Sequence, residues 1–418
     1  MKMQGRPSKK PRCEGFRSSL RHHVDPSFVA VAPAPFLPHE SIENILHRLP
    51  VKSLCRFKCV SKSWLNLISD SAFVKLHLDR AKKESSIGCS DHLMLGIIAR
   101  VDKRSSFRSI PVNNLRSIPC THDKISFPGV LCWNVVGSCD GLVCLINYNN
   151  AIILCNPSTG AQLILEPPSV YFQLVSSYGF GYDRTCQDYK VIRVVEDCTA
   201  WDANRSVAEV QMYSLKDKTW RTKVVELPDV PPIGKRYPRV CTVIVGDAMY
   251  WWGRCCIWRK LQKEKLLRYQ LEEDKWSSIL LPSDYYRDGD GNQTMIGLEH
   301  VGDRLCLLVR TIGSVLCEAA DKIDFWISEK DVASSLGDEA VWNKLFVMSI
   351  ETLIRGHYFI RYEPVMFSKD GERFLFRDDG MFHWFDMRRK VTYVGNRWDY
   401  IGGNLIDHVT YVGSLVPL

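Results

Sequence analysis

The sequence has no C-x-x-C pair among its 16 cysteines, no H-x-x-x-H pair among its 11 histidines, and no apolar run long enough to cross a bilayer. The first two absences remove the ligand spacings of zinc ribbons, redox dithiols and helical metal sites, so no metal or other cofactor is expected. Cys55 and Cys59 stand four apart, and Cys255 and Cys256 are adjacent, an awkward geometry for a bridge. The cysteines therefore read as reduced, small apolar residues, which suits a cytoplasmic or nuclear protein. The apolar stretch nearest the N-terminus, Phe28 to Leu37, is broken by Pro33 and Pro35, so neither a membrane partner nor secretion is expected.

A concentrated basic surface is also missing. The formal charge is +8, but Lys2, Arg6, Lys9, Lys10, Arg12, Arg17 and Arg21 lie within the first 25 residues against only Glu14 and Asp25. Nucleic acid as a partner needs basic residues gathered on the folded body, because phosphate neutralisation supplies most of the affinity. The tail around Lys9-Lys10-Pro11-Arg12 reads as a solvated extension or as a nuclear-import signal.

Three short patterns imitate catalytic or ligand motifs. Gly137-Ser138-Cys139-Asp140-Gly141 has the form of a nucleophile elbow, but Leu142 to Ile146 after it is β-patterned where an elbow needs a helix, so a hairpin turn is expected. Gly179-Phe180-Gly181 lacks the third glycine of a dinucleotide loop, since Arg184 occupies that place. Asp288-Gly289-Asp290-Gly291-Asn292 resembles a calcium loop, yet Gln293 stands at the sixth position and no helices flank it. No catalytic residue is expected.

What is present falls into two patterns. From Ser85 onward short β-rich runs dominate, among them Leu142 to Ile146, Tyr189 to Val195, Val240 to Val245 and Leu305 to Val309. Glu329 to Leu336 is the one stretch there that suits a loop helix. An apolar strand, a Gly/Asp turn and a second strand recur around Asp140-Gly141-Leu142, Asp247-Ala248-Met249, Asp303-Arg304-Leu305 and Asp370-Gly371-Glu372. A companion element runs from Tyr213 to Trp220 and again from Tyr269 to Trp276, with a related strand at Trp384 to Met387. Such recurrence predicts four-stranded blades stacked as a kelch-like β-propeller, with the closing aromatic packed on the next blade. Trp251 and Trp252 read as strand residues, at least one of them facing the core.

The segment before the strands is helical. Ile42, Ile45, Leu46 and Leu49 share one helical face, Pro38 suits the start and Pro50 a stop; the run from Val51 to Ile68 continues the period. About 40 residues bury too little area to fold alone. The apolar surplus must be covered by the β-rich remainder or by a partner, and the pattern does not choose between them.

The stretches Leu37-Pro38-His39-Glu40, Leu49-Pro50-Val51-Lys52-Ser53-Leu54 and Arg56-Phe57-Lys58-Cys59-Val60-Ser61-Lys62-Ser63-Trp64 resemble an F-box of the plant-type family. Leu65 departs from the basic residue that often follows the Trp. The remainder resembles the F-box-associated domain, through Gly137 to Leu145, Asn156-Pro157-Ser158-Thr159-Gly160, Tyr178 to Asp183, Asp188-Tyr189-Lys190-Val191, Met366 to Gly371 and Tyr411 to Val416. The fit is poor from Arg254 to Lys265 and from Ser328 to Ala340. The expected organisation is a basic tail over 1–35, a three-helix all-α F-box over 36–80, a connecting segment with the first β elements over 81–130, and an all-β propeller-like domain over 131–418.

The resemblance implies a non-catalytic substrate receptor of a ubiquitin ligase complex, bound to a Skp-family adaptor and through it to cullin and RING subunits. It implies adaptor contacts from Leu37, Pro38, Ile42, Ile45, Leu49, Pro50, Val51, Leu54, Phe57, Val60 and Trp64. A target protein is then expected on exposed aromatic and arginine anchors in loops, for which Trp201, Arg236, Tyr237, Arg254, Trp258, Arg259, Tyr285, Tyr286 and Arg287 are the candidates. The alternative is an adaptor-bound scaffold with a non-degradative role. An enzyme built around a propeller channel would need convergent acids or metal ligands, and none cluster.

Overall fold

The computed structural model describes residues 37–84, 92–99, 105–111, 123–125, 133–147, 151–168, 174–196, 207–226, 242–253, 265–283, 293–301, 304–311, 322–329, 341–349, 362–368, 370–378, 381–397 and 403–418. Of the stretch read as a loop helix, residues 330–336 lie outside them, as does the calcium-like sequence 288–292. The chain divides into two compact units, residues 1–44 and 45–418.

Four helices come first: α1 His39–Leu46, α2 Val51–Phe57, α3 Lys62–Ser69 and α4 Ser71–Glu84. The Pro38 carbonyl accepts from the amides of Ser41 and Ile42 and opens α1. Pro50 does more than stop a helix. It is the N-cap of α2, and its carbonyl accepts from Ser53 and Leu54. The continuous period from Val51 to Ile68 is corrected here, because Ser61 breaks it. Ser61 is extended, and its hydroxyl caps α3 by accepting from the Trp64 amide at 3.1 Å, so Cys59 lies in a turn and not on the helix of Cys55. Asp70 caps α4 in the same way, accepting from Ala72 and Phe73 at 2.8 and 3.2 Å.

The strands form six four-stranded antiparallel sheets. The first joins β1 His92–Ala99, β2 Ser105–Pro111 and β3 Asp123–Ile125 to the last strand, β24 Gly403–Tyr411. The second is β4 Trp133–Cys139, β5 Leu142–Asn147, β6 Ile152–Cys155 and β7 Gln162–Leu165. The third is β8 Leu174–Asp183, β9 Asp188–Glu196, β10 Val207–Ser214 and β11 Thr219–Glu226. The fourth is β12 Val243–Val245, β13 Ala248–Gly253, β14 Lys265–Gln270 and β15 Lys275–Leu280. The fifth is β16 Gln293–Val301, β17 Arg304–Thr311, β18 Lys322–Ser328 and β19 Trp342–Ser349. The sixth is β20 Tyr362–Phe367, β21 Arg373–Asp378, β22 Met381–Asp386 and β23 Val391–Arg397. Strands β24, β4, β8, β12, β16 and β20 are mutual neighbours around the inside of the ring. This is a six-bladed propeller closed by the C-terminal strand, and the segment 81–130 supplies three strands of the closing blade.

The continuous apolar runs are second strands, buried on both faces. In β5, Val143 and Leu145 pack toward the first sheet while Leu142, Cys144 and Ile146 pack toward the third. In β17, Leu305, Leu307 and Val309 face the fourth sheet, and Cys306 and Leu308 face the sixth. Trp251 of β13 is fully buried between the third and fourth sheets. The outer strand β11 is exposed along most of its length, as an edge strand facing water must be.

The two recurring sequence elements are turns at one end of several of the blades. Asp140-Gly141, Gly246-Asp247 and Gly371 join first to second strands, while Lys218, Asp274 and Lys390 close the turns between third and fourth strands, all with positive φ at Asp140, Gly141, Gly246, Gly371, Lys218, Asp274 and Lys390. The closing aromatics pack on the preceding blade, which corrects the expected packing on the next one. Trp220 joins the cluster between the second and third sheets, Trp276 that between the third and fourth, and Trp342 that between the fourth and fifth.

Candidate functional site

The helices carry apolar side chains of two kinds. Val51 and Leu54 are 6% and 0% exposed, which corrects their assignment to an adaptor-facing surface: they are buried within the chain and hold α2 in place. Leu37, Ile45 and Val60 are 59%, 50% and 62% exposed, and Leu65 and Leu76, absent from the expected set, are 44% and 55% exposed. Pro38 and Pro50 are exposed, and Ile42, Leu49, Phe57 and Trp64 are half-buried. Phe57 and Trp64 meet edge to face at 5.4 Å across the turn between α2 and α3. Their contact is what the Phe-Lys-Cys-Val-Ser-Lys-Ser-Trp spacing builds.

Helix α4 anchors this group. Phe73 stacks on His47 at 4.1 Å, and the His77 ring bonds the Leu49 carbonyl at 3.0 Å through Nε2. Burial pushes the His77 imidazole below its ordinary value, against the raising effect of that carbonyl, so it sits neutral. The adjacent face of α4 sends Val74 and Leu78 into the cluster between the second and third blades. Val74 and Leu78 thus meet the propeller, while Ile45, Val60, Leu65 and Leu76 stay exposed.

Strand order defines two ends of the ring. The turns between first and second strands and between third and fourth strands lie at one end, together with His92 and its partner Tyr411, where the helices join and the last strand finishes. The strand ends that flank the connections between second and third strands, and from blade to blade, lie at the other end. All nine target-binding candidates fall in such connections. Trp201 lies between β9 and β10, Arg236 and Tyr237 between β11 and β12, Arg254, Trp258 and Arg259 between β13 and β14, and Tyr285, Tyr286 and Arg287 between β15 and β16. Those positions are outside the described residues, but the strands that flank them all end on the far side from α4.

The catalytic look-alikes resolve into packing. Asp140-Gly141 is a hairpin turn between β4 and β5. Burial and the adjacent Asp140 carboxylate push the Cys139 thiol far above its usual value, which disfavours the thiolate. Burial also raises Cys144 and Cys306, and pushes Cys155 up to about 12. Gly179 and Gly181 lie within β8, where their missing side chains admit Trp251 and Met249 from the next blade. Among the described residues there is no cluster of three or more His, Cys, Asp or Glu side chains suited to a metal, and no helix is long and apolar enough to cross a membrane.

Comparison with known proteins agrees with this division. Residues 35–76 match the F-box domain profile and residues 99–418 match the F-box associated beta propeller domain profile. The F-box/kelch-repeat protein At3g23880 of Arabidopsis thaliana is 34% identical over 44% of this chain and 51% of its own length. F-box protein CPR1 of the same plant is 25% identical over 85% of this chain and 83% of its own length, and F-box protein At2g14710 is 24% identical over 91% and 94%. The chain spans about half the length of the first of these relatives. Among solved structures, the β-propeller domain of the Trilobed protease from Pyrococcus furiosus matches at 12% identity and a TM-score of 0.30, covering 61% of this chain and 69% of that one. With its N-terminal F-box and the propeller that follows, the chain belongs to the F-box proteins that carry an F-box associated β-propeller domain.

Proposed function

We propose that this protein is the target-recognition subunit of a Skp, cullin and F-box type ubiquitin ligase. The observation that carries the reading is the division of the helical apolar surface. Val74 and Leu78 are sunk into the propeller, while Ile45, Val60 and Leu65 stand exposed within a motif that matches the F-box profile. Exposed apolar side chains gathered on a small helical unit are the surface a protein partner covers. The partner is the Skp-family adaptor, which links the chain to cullin and RING subunits. The far end of the ring binds the target through its loop aromatics and arginines. No residue of this chain takes part in bond making; holding the target beside a charged ubiquitin carrier raises the effective concentration of its lysines.

Pull-down of the full chain carrying Leu37→Asp or Pro50→Asp tests the adaptor contact. Loss of the adaptor with the propeller still folded supports the reading, and full retention in both variants contradicts it. Proteasome inhibition in cells then separates a degradation receptor, whose target accumulates, from a scaffold, whose bound partner does not.

A further inference from the structure

Four of the stretches that carry the family resemblance meet at one place in the fold. They are the Asp140-Gly141 turn, Asn156, Tyr189 and the C-terminal residues 412–418. Gly141 has φ +82°, and a side chain there would strike the Val412 carbonyl and Ser414. Asn156 is fully buried and donates through Nδ2 to the carbonyls of Ser414 at 3.1 Å and Val416 at 2.9 Å, while its Oδ1 accepts from the Ser158 and Thr159 amides. The tail after β24 is thereby tied to the second blade by its own main chain. Its side chains Val416 and Leu418 then enter the apolar cluster that holds Val74 and Leu78 of α4. Next to that cluster the Lys82 ammonium pairs with the Asp140 carboxylate, and the Tyr189 hydroxyl donates to the other Asp140 oxygen at 3.0 Å.

We infer that residues 412–418 act as a wedge between the propeller and α4, and that with Asp140, Lys82 and Asn156 they lock the F-box to the turn end of the ring. These are positioning residues. They fix the direction in which the opposite end of the ring is presented. Asp140 suits this place twice over, because it adopts φ +53° in the tight turn and its carboxylate bridges a helix lysine and a strand tyrosine. The tail is not required to close the ring, since β24 ends at Tyr411 and pairs with β1 along its length. The lock stands independently of the adaptor reading; its consequence for presenting a target rests on that reading.

Hydrogen exchange on the full chain, without adaptor, tests the lock. In Val416→Asp combined with Leu418→Asp, the amides of α4 from Val74 to Leu78 should exchange at least about tenfold faster, as expected when buried apolar side chains lose their seat. The amides of β17 and β21, whose side chains lie in other clusters, should keep their rates. Lys82→Ala should give a smaller acceleration confined to α4, because the lysine is half exposed. Val416→Ile with Leu418→Met should restore slow exchange in α4. Unchanged α4 exchange in the double Asp variant overturns the inference, and so does an equal acceleration of α4, β17 and β21, which would make the tail a support of the whole ring only. Adaptor is absent from the experiment, so a failure of the adaptor reading leaves its outcome untouched.

Discussion

The indole N–H of Trp251 in the fourth blade donates to the main-chain carbonyl of Tyr178 in the third at 2.8 Å. The contact exists because residue 179 is glycine: a Cβ there would lie 2.6 Å from the Trp251 ring and 2.8 Å from the Met249 sulfur. Gly179→Ala should therefore destabilise the propeller by about 1–3 kcal/mol through overpacking. Trp251→Ala should cost about 3–5 kcal/mol, since it empties the seam and removes one of the two donors to the Tyr178 carbonyl, which the Thr242 hydroxyl also reaches. Denaturant unfolding measures both, and an unchanged midpoint in Gly179→Ala would show that the two blades separate freely.

His383 supplies a pH dependence. It is fully buried on β22, stacked on Phe376 at 5.1 Å, and neither ring nitrogen has a hydrogen-bond partner among the described residues. Burial pushes its pKa down to about 4 from an ordinary 6.5. The unfolded chain takes up a proton that the folded chain refuses, so stability is full above pH 6.5, falls as pH drops toward 4, and levels below that. The loss across this window is about 3 kcal/mol. His77, also depressed by burial, adds to the slope in the helices. His383→Phe should flatten the propeller's melting temperature between pH 6.5 and 4, and a slope equal to wild type would assign the dependence elsewhere.

The buried and exposed apolar residues of the F-box should separate in their effects. Leu54→Ala should cost about 2–5 kcal/mol of stability, a core truncation. Val60→Asp should change stability by no more than about 0.5 kcal/mol, as surface substitutions do, while removing the adaptor. Circular dichroism melts paired with pull-down report both quantities on the same samples. Equal melting losses in the two variants would mean that Val60 is a packing residue.

In the connections after β13 and β15, Trp258→Ala or Tyr286→Ala should weaken target capture by about thirtyfold, the scale of an interface anchor, with adaptor binding intact. The readout is the set of proteins that co-purify with the chain after proteasome inhibition. A set unchanged in both variants removes these positions from the recognition surface.

Much of this architecture was legible because turns demand particular residues. Asp140-Gly141 and Asp370-Gly371 marked hairpins through chemistry that positive φ requires, and the Tyr-to-Trp elements marked the outer turns. The third blade's first turn, Arg184 to Gln187, carries no Asp-Gly pair. Its positive φ falls on Gln187, and it lies outside the recurring signal. The four helices were less legible than the strands. Val51 to Ile68 keeps one apolar period across a break that only the cap at Ser61 reveals. Periodicity also cannot distinguish a face covered by the chain itself from one left open, which is why Leu54 and Val60 looked alike in sequence and differ in burial. The seat of α4 depends on residues from 74 to 418, a separation that local pattern does not encode.

The central claim is that the exposed apolar side chains of the helices hold a ligase adaptor. Its most direct measurement is the dissociation constant between the purified full chain and a Skp-family adaptor, for wild type and for Val60→Asp combined with Leu65→Asp. The account predicts saturable binding by the wild-type chain and a loss of at least about a hundredfold in the variant, with the propeller's melting temperature unchanged. Equal affinity of the two proteins, or no binding by the wild-type chain, would contradict it.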